Sequence, residues 1–280
     1  MLANELDEEK EATHILQAER QMRLLRLLEK MGAASVNDLA ELLKASPATV
    51  RRDLVALRSK GMLIRTHGGA VLRRDGYREP FYTARSEEQR EEKEVIGAAA
   101  AAMVGDNDFI FIDVGTTPLE VARHLPGDRR ITAVTNWVPV VSVLAEKPNI
   151  RTILAGGVVR PGELSTSGKL TENALKGFYF DKAFIGVGGI AAGRGFVDFT
   201  LEEVQVKQQV IEGAKEVIVV ADHTKFGRLA PIQVCQVADV TTVVTTSLLP
   251  PDIAESYRAL GLSLSVVPWD RPVPSAAGQV

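Results

Sequence analysis

The chain has 280 residues, of which 45% are hydrophobic and 25% charged, ordinary values for a folded protein that exclude extensive disorder. At roughly 150 residues per domain, this length predicts one large domain or two ordinary ones. The apolar runs are strand-sized, shorter than the roughly 18 residues of a transmembrane helix, and the acidic N-terminus is unlike a secretory signal peptide. A single cysteine, Cys235, excludes an internal disulfide framework. We therefore expect a cytoplasmic protein.

Charge is distributed unevenly along the chain. Residues 20–75 hold 12 Lys and Arg against 5 Asp and Glu, a charge of +7, which leaves 21 of the 33 basic and 31 of the 36 acidic residues elsewhere, a charge of −10. A small basic segment joined to a larger acidic one predicts a module that binds a polyanion, with a solvated charged face as the alternative.

The basic segment has the pattern of a helix-turn-helix. Apolar residues at helical spacing predict a first helix over 20–31 and a second over 36–43. Ser46 before Pro47 marks a third helix, because the hydroxyl caps free backbone N–H groups and proline at the first position loses no hydrogen bond. Val50, Leu54 and Leu57 form its buried stripe. The residues expected to face away from this stripe are Thr49, Arg51, Arg52 and Arg58.

Two short apolar runs around a His-Gly-Gly turn follow, over 62–74. They predict a two-stranded wing that carries Arg65 and His67. Helix-turn-helix and wing together indicate a double-stranded DNA-binding domain. The candidate DNA-binding residues are Ser46, Thr49, Arg51, Arg52, Arg58, Arg65 and His67.

Beyond residue 95 the pattern changes to β-branched strands alternating with helices. Strands are predicted over 109–112, 131–134, 151–154, 183–187, 216–220 and 241–244, and helices over 117–125, 138–146, 170–178, 201–213 and 251–260. Strands that are apolar throughout and alternate with helices predict a mostly parallel sheet covered on both faces. The expected fold class is therefore α/β, with an N-terminal winged helix-turn-helix followed by this sheet domain.

Ligands of such sheets bind beyond the carboxyl ends of the strands. Polar or glycine-rich segments follow five of the predicted strands, beginning at Asp113, Thr135, Ala155, Gly186 and Ala221. Gly115, Thr116 and Thr117 open a helix, whose free N–H groups and hydroxyls suit a phosphate.

Two other motifs resemble nucleotide-binding sequences but do not meet their requirements. The glycines of 186–191 match the letters of a dinucleotide fingerprint, but a loop is predicted where the helix should begin. The stretch 162–170 resembles a P-loop with a gap one residue too long. The four histidines have no ligand spacing for zinc, so we expect no metal site and no cofactor. Cys235 is interpreted as a buried strand residue.

The run from Val36 to Leu54, with paired arginines before Asp53-Leu54, and the wing Arg65-Thr-His-Gly-Gly-Ala70 closely resemble the DNA-binding signature of DeoR-type bacterial transcriptional regulators. The resemblance covers about residues 20–265. It implies an effector domain similar in fold to ribose-5-phosphate isomerase and glucosamine-6-phosphate deaminase, with a phosphorylated sugar or related metabolite as ligand. It also implies that Gly115, Thr116 and Thr117 form the phosphate loop, with Lys225 as counter-charge.

By the same resemblance, Asp113, Asn136, Asp181 and Glu203 are expected near sugar hydroxyls. The matching positions Gly156, Gly157, Lys207 and Asp222 complete the candidate effector site. The sequence departs from the family pattern at the bulky stretch Phe196–Leu201 and at Gly188, where the related isomerases place an acidic side chain.

The predicted organisation is an acidic tail over 1–19, a winged helix-turn-helix DNA-binding domain over 20–75 with the helix-turn-helix at about 36–55, a charged linker over 76–94, an effector-sensing and oligomerisation domain over 95–268, and a mobile tail over 269–280. The predicted function is a non-enzymatic homo-oligomeric repressor of a carbohydrate operon that leaves its operator when a sugar phosphate binds. The alternatives are an isomerase- or deaminase-like enzyme, for which Asp113, Asp181, Glu203 and Lys207 could act as acid and base, and an activator of the same architecture.

Overall fold

The computed structural model describes residues 20–270 except positions 22, 26, 29–30, 32, 60–62, 67, 73–78 and 80–81. The predicted tail over 1–19 and residues 271–280 of the predicted tail over 269–280 therefore lie outside the described residues, as does His67. The chain divides into two compact units, Met1–Arg78 and Glu79–Val280. Within the described part, no helix is both long and apolar enough to cross a membrane.

The first unit contains the predicted helix-turn-helix. Residues 20–31 are helical at each position described. They are followed by β1 (Ala33–Ser35), α1 (Val36–Leu42), α2 (Pro47–Ser59), β2 (Leu63–Thr66) and β3 (Gly69–Leu72). The Ser46 hydroxyl accepts a hydrogen bond from the Thr49 N–H at 3.1 Å, which is the cap that its position before Pro47 predicts. β2 and β3 form an antiparallel hairpin, and β1 pairs antiparallel with β3 as the third strand of this sheet.

The second unit begins with two helices, α3 (Tyr82–Glu87) and α4 (Arg90–Ala102). The charged segment 76–94, predicted as a linker that runs into the first turns of a helix over 95–103, is mostly helical from Tyr82 onward and partly buried. Glu92 and Lys93 are within the core, 1% and 3% exposed. The sequence pattern shows only charge there, whereas the packing of α4 removes both side chains from water.

The rest of the second unit alternates strands with helices. The helices are α5 (Thr116–His124), α6 (Val138–Leu144), α7 (Lys169–Leu175), α8 (Leu201–Glu212) and α9 (Pro251–Ala259). The strands are β4 (Phe109–Ile112), β5 (Ile131–Thr135), β6 (Ile150–Leu154), β7 (Val158–Val159), β8 (Thr166–Ser167), β9 (Phe180–Ile185), β10 (Gly189–Ala191), β11 (Gly195–Asp198), β12 (Ala214–Val220), β13 (Ile232–Cys235), β14 (Thr242–Thr246) and β15 (Leu264–Val267).

Seven of these strands form one parallel sheet in the order β15-β14-β12-β9-β4-β5-β6. Successive side chains of a strand point to opposite faces. Ile110 and Ile112 accordingly pack with α4, α5 and α6, while Phe111 packs with α7, α8 and α9. The predicted α/β class, with a mostly parallel sheet behind an N-terminal helix-turn-helix, is confirmed.

Two smaller sheets adjoin the carboxyl ends of the large one. β10, β11 and β13 form an antiparallel sheet, and β7 pairs with β8. Because β10 follows Gly188 directly, the glycines of 186–191 open a hairpin instead of the helix that a dinucleotide site requires. Cys235 ends β13 and is buried, as its sequence context predicts.

Candidate functional site

In the first unit, the recognition helix α2 has two chemically different faces. Val50 and Leu54 are fully buried, whereas Arg51 and Arg52 are exposed. Asp53, beside the arginines, faces inward: its carboxylate accepts hydrogen bonds from Arg20 Nε at 2.5 Å and Gln21 Nε2 at 3.1 Å. This partly buried ion pair ties α2 to the first helix. A helix held in this way presents its cationic face to solvent in a fixed orientation.

The other candidate DNA-binding residues also belong to this unit. Ser46, Arg58 and Arg65 are exposed, whereas Thr49 is half-buried, and its hydroxyl lies 2.9 Å from that of Ser46. Arg65 is on β2 of the wing. The exposed cations of α2 and the wing suit the phosphates and base edges of duplex DNA.

In the second unit, a cleft lies beyond the carboxyl ends of β4, β9 and β12. The cleft is open to solvent. Six of the sequence-predicted effector residues line the cleft: Gly115, Thr116, Thr117, Glu203, Lys207 and Lys225. The structure therefore brings together the predicted phosphate loop and its predicted counter-charge.

The predicted phosphate loop forms the start of α5. Gly115 is the residue before the helix, with φ at +142°, and no side chain caps the helix at this end. The backbone N–H groups of Thr116 and Thr117 are therefore left without helical acceptors, and the helix dipole adds partial positive charge there. Such a helix start binds anions.

Lys225 supplies a second, independent feature of an anion site. Its side chain is buried, with only 9% of the residue exposed, and it lines the cleft. Among the described residues, its ammonium group has no hydrogen-bond or ion-pair partner. A buried ammonium ion is costly without a negative partner, so this part of the cleft favours an anionic ligand.

Lys207 is held differently. Its ammonium group forms an ion pair with Asp113, donates to the Gly186 carbonyl at 2.8 Å and lies 3.4 Å from Asp198 Oδ2. Burial disfavours the charged form, but the two carboxylates outweigh it and raise the pKa of Lys207. Asp113 also accepts from the Gly186 N–H at 3.0 Å, so it fixes β4 against β9 from behind the cleft wall.

Glu203 is likewise occupied by partners. It lies 2.9 Å from Arg160 and accepts a hydrogen bond from Ser165 Oγ at 2.8 Å. Burial opposes ionisation, but the nearby Arg160 and Lys207 cations lower the pKa of Glu203 overall. Glu203 is therefore an ionised acceptor at the cleft wall.

Four other predicted residues lie near the strand ends without lining the cleft. Asn136 donates from Nδ2 to the Thr166 carbonyl at 2.9 Å, and Asp222 caps the short helical turn 223–225 by accepting from the Thr224 N–H at 3.0 Å. Gly156 adjoins open space, whereas a Cβ on Gly157 would lie 1.9 Å from Thr171 Oγ1. Asn136, Asp222 and Gly157 thus support the loops around the cleft.

Asp181 lies elsewhere, which corrects the expectation that it is near the ligand. It is the second residue of β9, and its carboxylate accepts a hydrogen bond from the Phe109 N–H at the start of β4, at 2.9 Å. Both strands begin at the amino edge of the sheet. The cleft is at the other end of β9, roughly 13–16 Å away at about 3.3 Å per residue.

Five polar or aromatic residues that line the cleft were not among the predicted effector residues: Glu79, Arg85, Asp198, Phe199 and Arg228. Glu79 and Arg85 fall in the segment interpreted as a linker, where no periodic pattern distinguishes them. Arg228 directly follows the Lys225-Phe-Gly run. Its positive charge at this position is the sequence signal that could have predicted it as a lining residue. In the described part of the chain, no group of three or more His, Cys, Asp or Glu is arranged to hold a metal ion.

A winged helix-turn-helix joined to a parallel α/β unit with a cleft at the carboxyl ends of its strands is the architecture of a ligand-responsive transcriptional regulator. Comparison with known proteins agrees. Residues 20–75 match the family model for the DeoR-like helix-turn-helix domain, and residues 88–247 match that for the DeoR C terminal sensor domain. The chain belongs to the DeoR family of transcriptional regulators, which confirms the resemblance carried by its sequence motifs.

Curated relatives span nearly the whole chain. The glycerol-3-phosphate regulon repressor of Escherichia coli strain K12 is 34% identical over 238 residues, covering 85% of this chain and 93% of that protein. The HTH-type transcriptional repressor GlcR of Bacillus subtilis strain 168 is 32% identical over 254 residues, covering 91% and 98%. A solved structure of ribose 5-phosphate isomerase A from Methanocaldococcus jannaschii aligns at 16% identity with a TM-score of 0.38, over 51% of this chain and 57% of that one.

Proposed function

We propose that this protein is a repressor that binds operator DNA through α2 and the wing and leaves it when a phosphorylated sugar or related metabolite binds the cleft. The observation that carries the effector assignment is Lys225, a buried cation without a described partner, in the same cleft as the uncapped start of α5. A phosphate dianion would accept hydrogen bonds from both. The names of the two curated repressors agree with this class of function.

The site favours binding over turnover. Asp113, Glu203 and Lys207, the acid and base candidates at the cleft, are committed to ion pairs with one another or with Arg160. Asp181 is at the opposite edge of the sheet. We infer that the ligand is held and released unchanged. A turnover assay with pentose and hexose phosphates tests this, and product formation would favour the isomerase or deaminase alternative.

The chain itself offers a route from the cleft to the DNA-binding unit. Glu79 is the first residue of the second unit and lines the cleft together with Arg85. Glu79 lies 3.0 Å from both Arg85 and Arg160, and Arg85 lies 2.6 Å from Glu163. Tyr82, between Glu79 and Arg85, packs edge-on against the buried Trp137 at 5.4 Å. A ligand that displaces this segment, 79–87, would act on the chain immediately after Arg78.

Titration of wild type and Lys225→Ala with paired phosphorylated and free ligands, on and off operator DNA, tests the proposal. Glycerol 3-phosphate with glycerol and glucose 6-phosphate with glucose are suitable pairs. We expect at least one phosphorylated ligand to bind tenfold or more tightly than its free partner, since a charge-assisted hydrogen bond contributes about 1.5–3 kcal/mol and 1.4 kcal/mol is one decade.

Lys225→Ala and Thr116→Val should lose the response to the effector yet keep operator binding, because Arg51 and Arg52 lie in the other unit. By linkage, the operator must weaken effector binding by the same factor. Equal affinity for free and phosphorylated ligands, or a normal response of Lys225→Ala, would show that the phosphate site is wrongly assigned. Transcription from an operator-linked reporter that rises with added protein would favour the activator alternative.

A further inference from the structure

The two places where the sequence departs from the family pattern meet in the structure. Gly188, directly before β10, and Phe199, directly after β11, both line the cleft. A Cβ on Gly188 would lie 2.7 Å from Phe199 Cε2 and 2.9 Å from Asp198 Oδ1. The phenyl ring therefore occupies the space that any side chain at position 188 would need. The bulky Phe199 ring and the absence of a side chain at position 188 therefore complement each other in shape.

Phe199 also supports a cation. The Arg228 guanidinium carbon lies 5.3 Å from the centre of the Phe199 ring, within cation–π distance. The backbone on which Arg228 stands is held firmly: the Gly227 N–H donates to the Ile190 carbonyl at 2.9 Å and to the Tyr257 hydroxyl at 2.8 Å. Stacking and a fixed backbone restrict the guanidinium before any ligand arrives, which lowers the entropy cost of binding.

The charges lining the cleft do not balance locally. Its carboxylates have cationic partners: Asp198 lies near Lys207, while Glu79 and Glu203 contact Arg160. Arg228 and Lys225, by contrast, have no carboxylate partner among the described residues. Both belong to one short loop, three positions apart. This side of the cleft therefore carries two cations for which the ligand must supply the negative charge.

We propose that Arg228, positioned by the Phe199 ring over Gly188, is a second cation that binds the phosphate of the effector together with Lys225. The inference rests on the proposed phosphate site and extends it. A phosphate monoester carries close to two negative charges at neutral pH, which matches one lysine and one arginine. The planar guanidinium donates two parallel hydrogen bonds to phosphate oxygens, which an ammonium group cannot do.

The test uses the full-length protein and inorganic phosphate as probe, with affinity measured by calorimetric titration. Arg228→Gln should weaken phosphate binding at least tenfold, and Arg228→Lys should weaken it by a smaller factor because charge is kept but the planar donor is lost. Phe199→Leu should weaken binding in the wild-type background and have no further effect in the Arg228→Gln background. Arg194→Gln, which removes an exposed arginine from the turn between β10 and β11, is the matched control and should bind like wild type.

The outcomes separate this inference from the proposed function. If Lys225→Ala loses phosphate binding while Arg228→Gln and Arg228→Lys bind like wild type, Arg228 is not a ligand residue and the phosphate site itself stands. If Phe199→Leu lowers affinity equally in both backgrounds, the ring does not act through Arg228 and its positioning role is refuted. If Lys225→Ala and Arg228→Gln both bind like wild type, the phosphate site and this inference fail together. Melting temperatures of all variants show which of them are folded.

Discussion

Both terminal guanidinium nitrogens of Arg160 donate to the same oxygen of Glu79, each at 3.0 Å. Arg160 is in the loop after β7, whereas Glu79 is the first residue of the second unit, 81 positions earlier in the chain. The contact fastens the start of the second unit to the wall of the cleft. The segment held by this contact follows the DNA-binding unit directly in the chain.

Glu79→Gln should reduce the coupling between effector and operator. The variant keeps the shape of the side chain but removes the charge that holds Arg85 and Arg160. We expect the ratio of operator affinities without and with effector to fall by a factor equivalent to about 0.5–2 kcal/mol, measured by fluorescence anisotropy. Glu255→Gln, which loses an exposed contact with Arg258 at 3.5 Å, is the control. Identical release curves for Glu79→Gln and wild type would refute this route.

Arg51→Ala and Arg52→Ala should each weaken operator binding. Both arginines are exposed on α2, opposite the buried Val50 and Leu54. Loss of an arginine that pairs with guanine should cost about 1–3 kcal/mol of binding free energy and relax the preference at one base pair. Loss of an arginine that contacts phosphate should weaken binding to all sequences alike. Gel-shift titration with operator and scrambled DNA distinguishes the two. Unchanged operator binding in both variants, with intact circular dichroism, contradicts this placement of α2 in the groove.

The second unit should mediate self-association. One recognition helix and wing cover about half of an operator, so useful affinity requires at least a dimer, and the basic first units repel one another. Multi-angle light scattering should give a mass of at least twice the 30.3 kDa of one chain. A monomer mass at micromolar concentration, combined with tight operator binding, would rule out this arrangement.

Gly157→Ala should destabilise the protein, whereas Gly156→Ala should not. A Cβ on Gly157 would lie 1.9 Å from Thr171 Oγ1, but one on Gly156 would have no neighbour within 4 Å. Overpacking of this kind costs about 1–3 kcal/mol. Thermal unfolding of the two neighbouring variants provides the comparison. Equal melting temperatures would show that the loop after β6 yields easily, and that Gly157 has no packing role.

Stability should fall with rising pH through the titration of His223. Its ring Nδ1 lies 2.7 Å from the buried Glu92 carboxylate, which raises the pKa of His223 above its ordinary value of 6.5. The stabilisation is complete below the unfolded-state pKa and is lost as the pH rises through the higher folded-state pKa.

The difference in melting temperature between wild type and His223→Gln should therefore shrink as the pH is raised from about 6 to about 9. Thr246→Val removes another hydrogen bond to Glu92, at 2.8 Å, without removing a titrating group. Its pH profile should parallel that of wild type. A constant difference between His223→Gln and wild type across this range would exclude the ion pair as a source of pH dependence.

The sequence by itself determined the helix-turn-helix and most strands and helices of the parallel sheet, and it predicted where a phosphate loop would lie. The helix-turn-helix, the order of strands and helices and the polar strand ends depend on periodicity, capping and local backbone preference, all of which act over a few residues. Gly115, Thr116 and Lys225 could be predicted together because the carboxyl ends of parallel strands share one edge.

Only the tertiary structure decided which side chains meet in the cleft. Glu79 and Arg85 show no periodic pattern, and their contacts with Arg160 and Glu163 join residues about 80 positions apart. The fit of Phe199 over Gly188 depends on the antiparallel pairing of β10 with β11, which these two residues flank, and the distance of Asp181 from the cleft depends on which end of β9 it occupies. Such relations arise from the packing of complete elements against one another. No local pattern encodes them, because charge and ring contacts act through space and not along the chain.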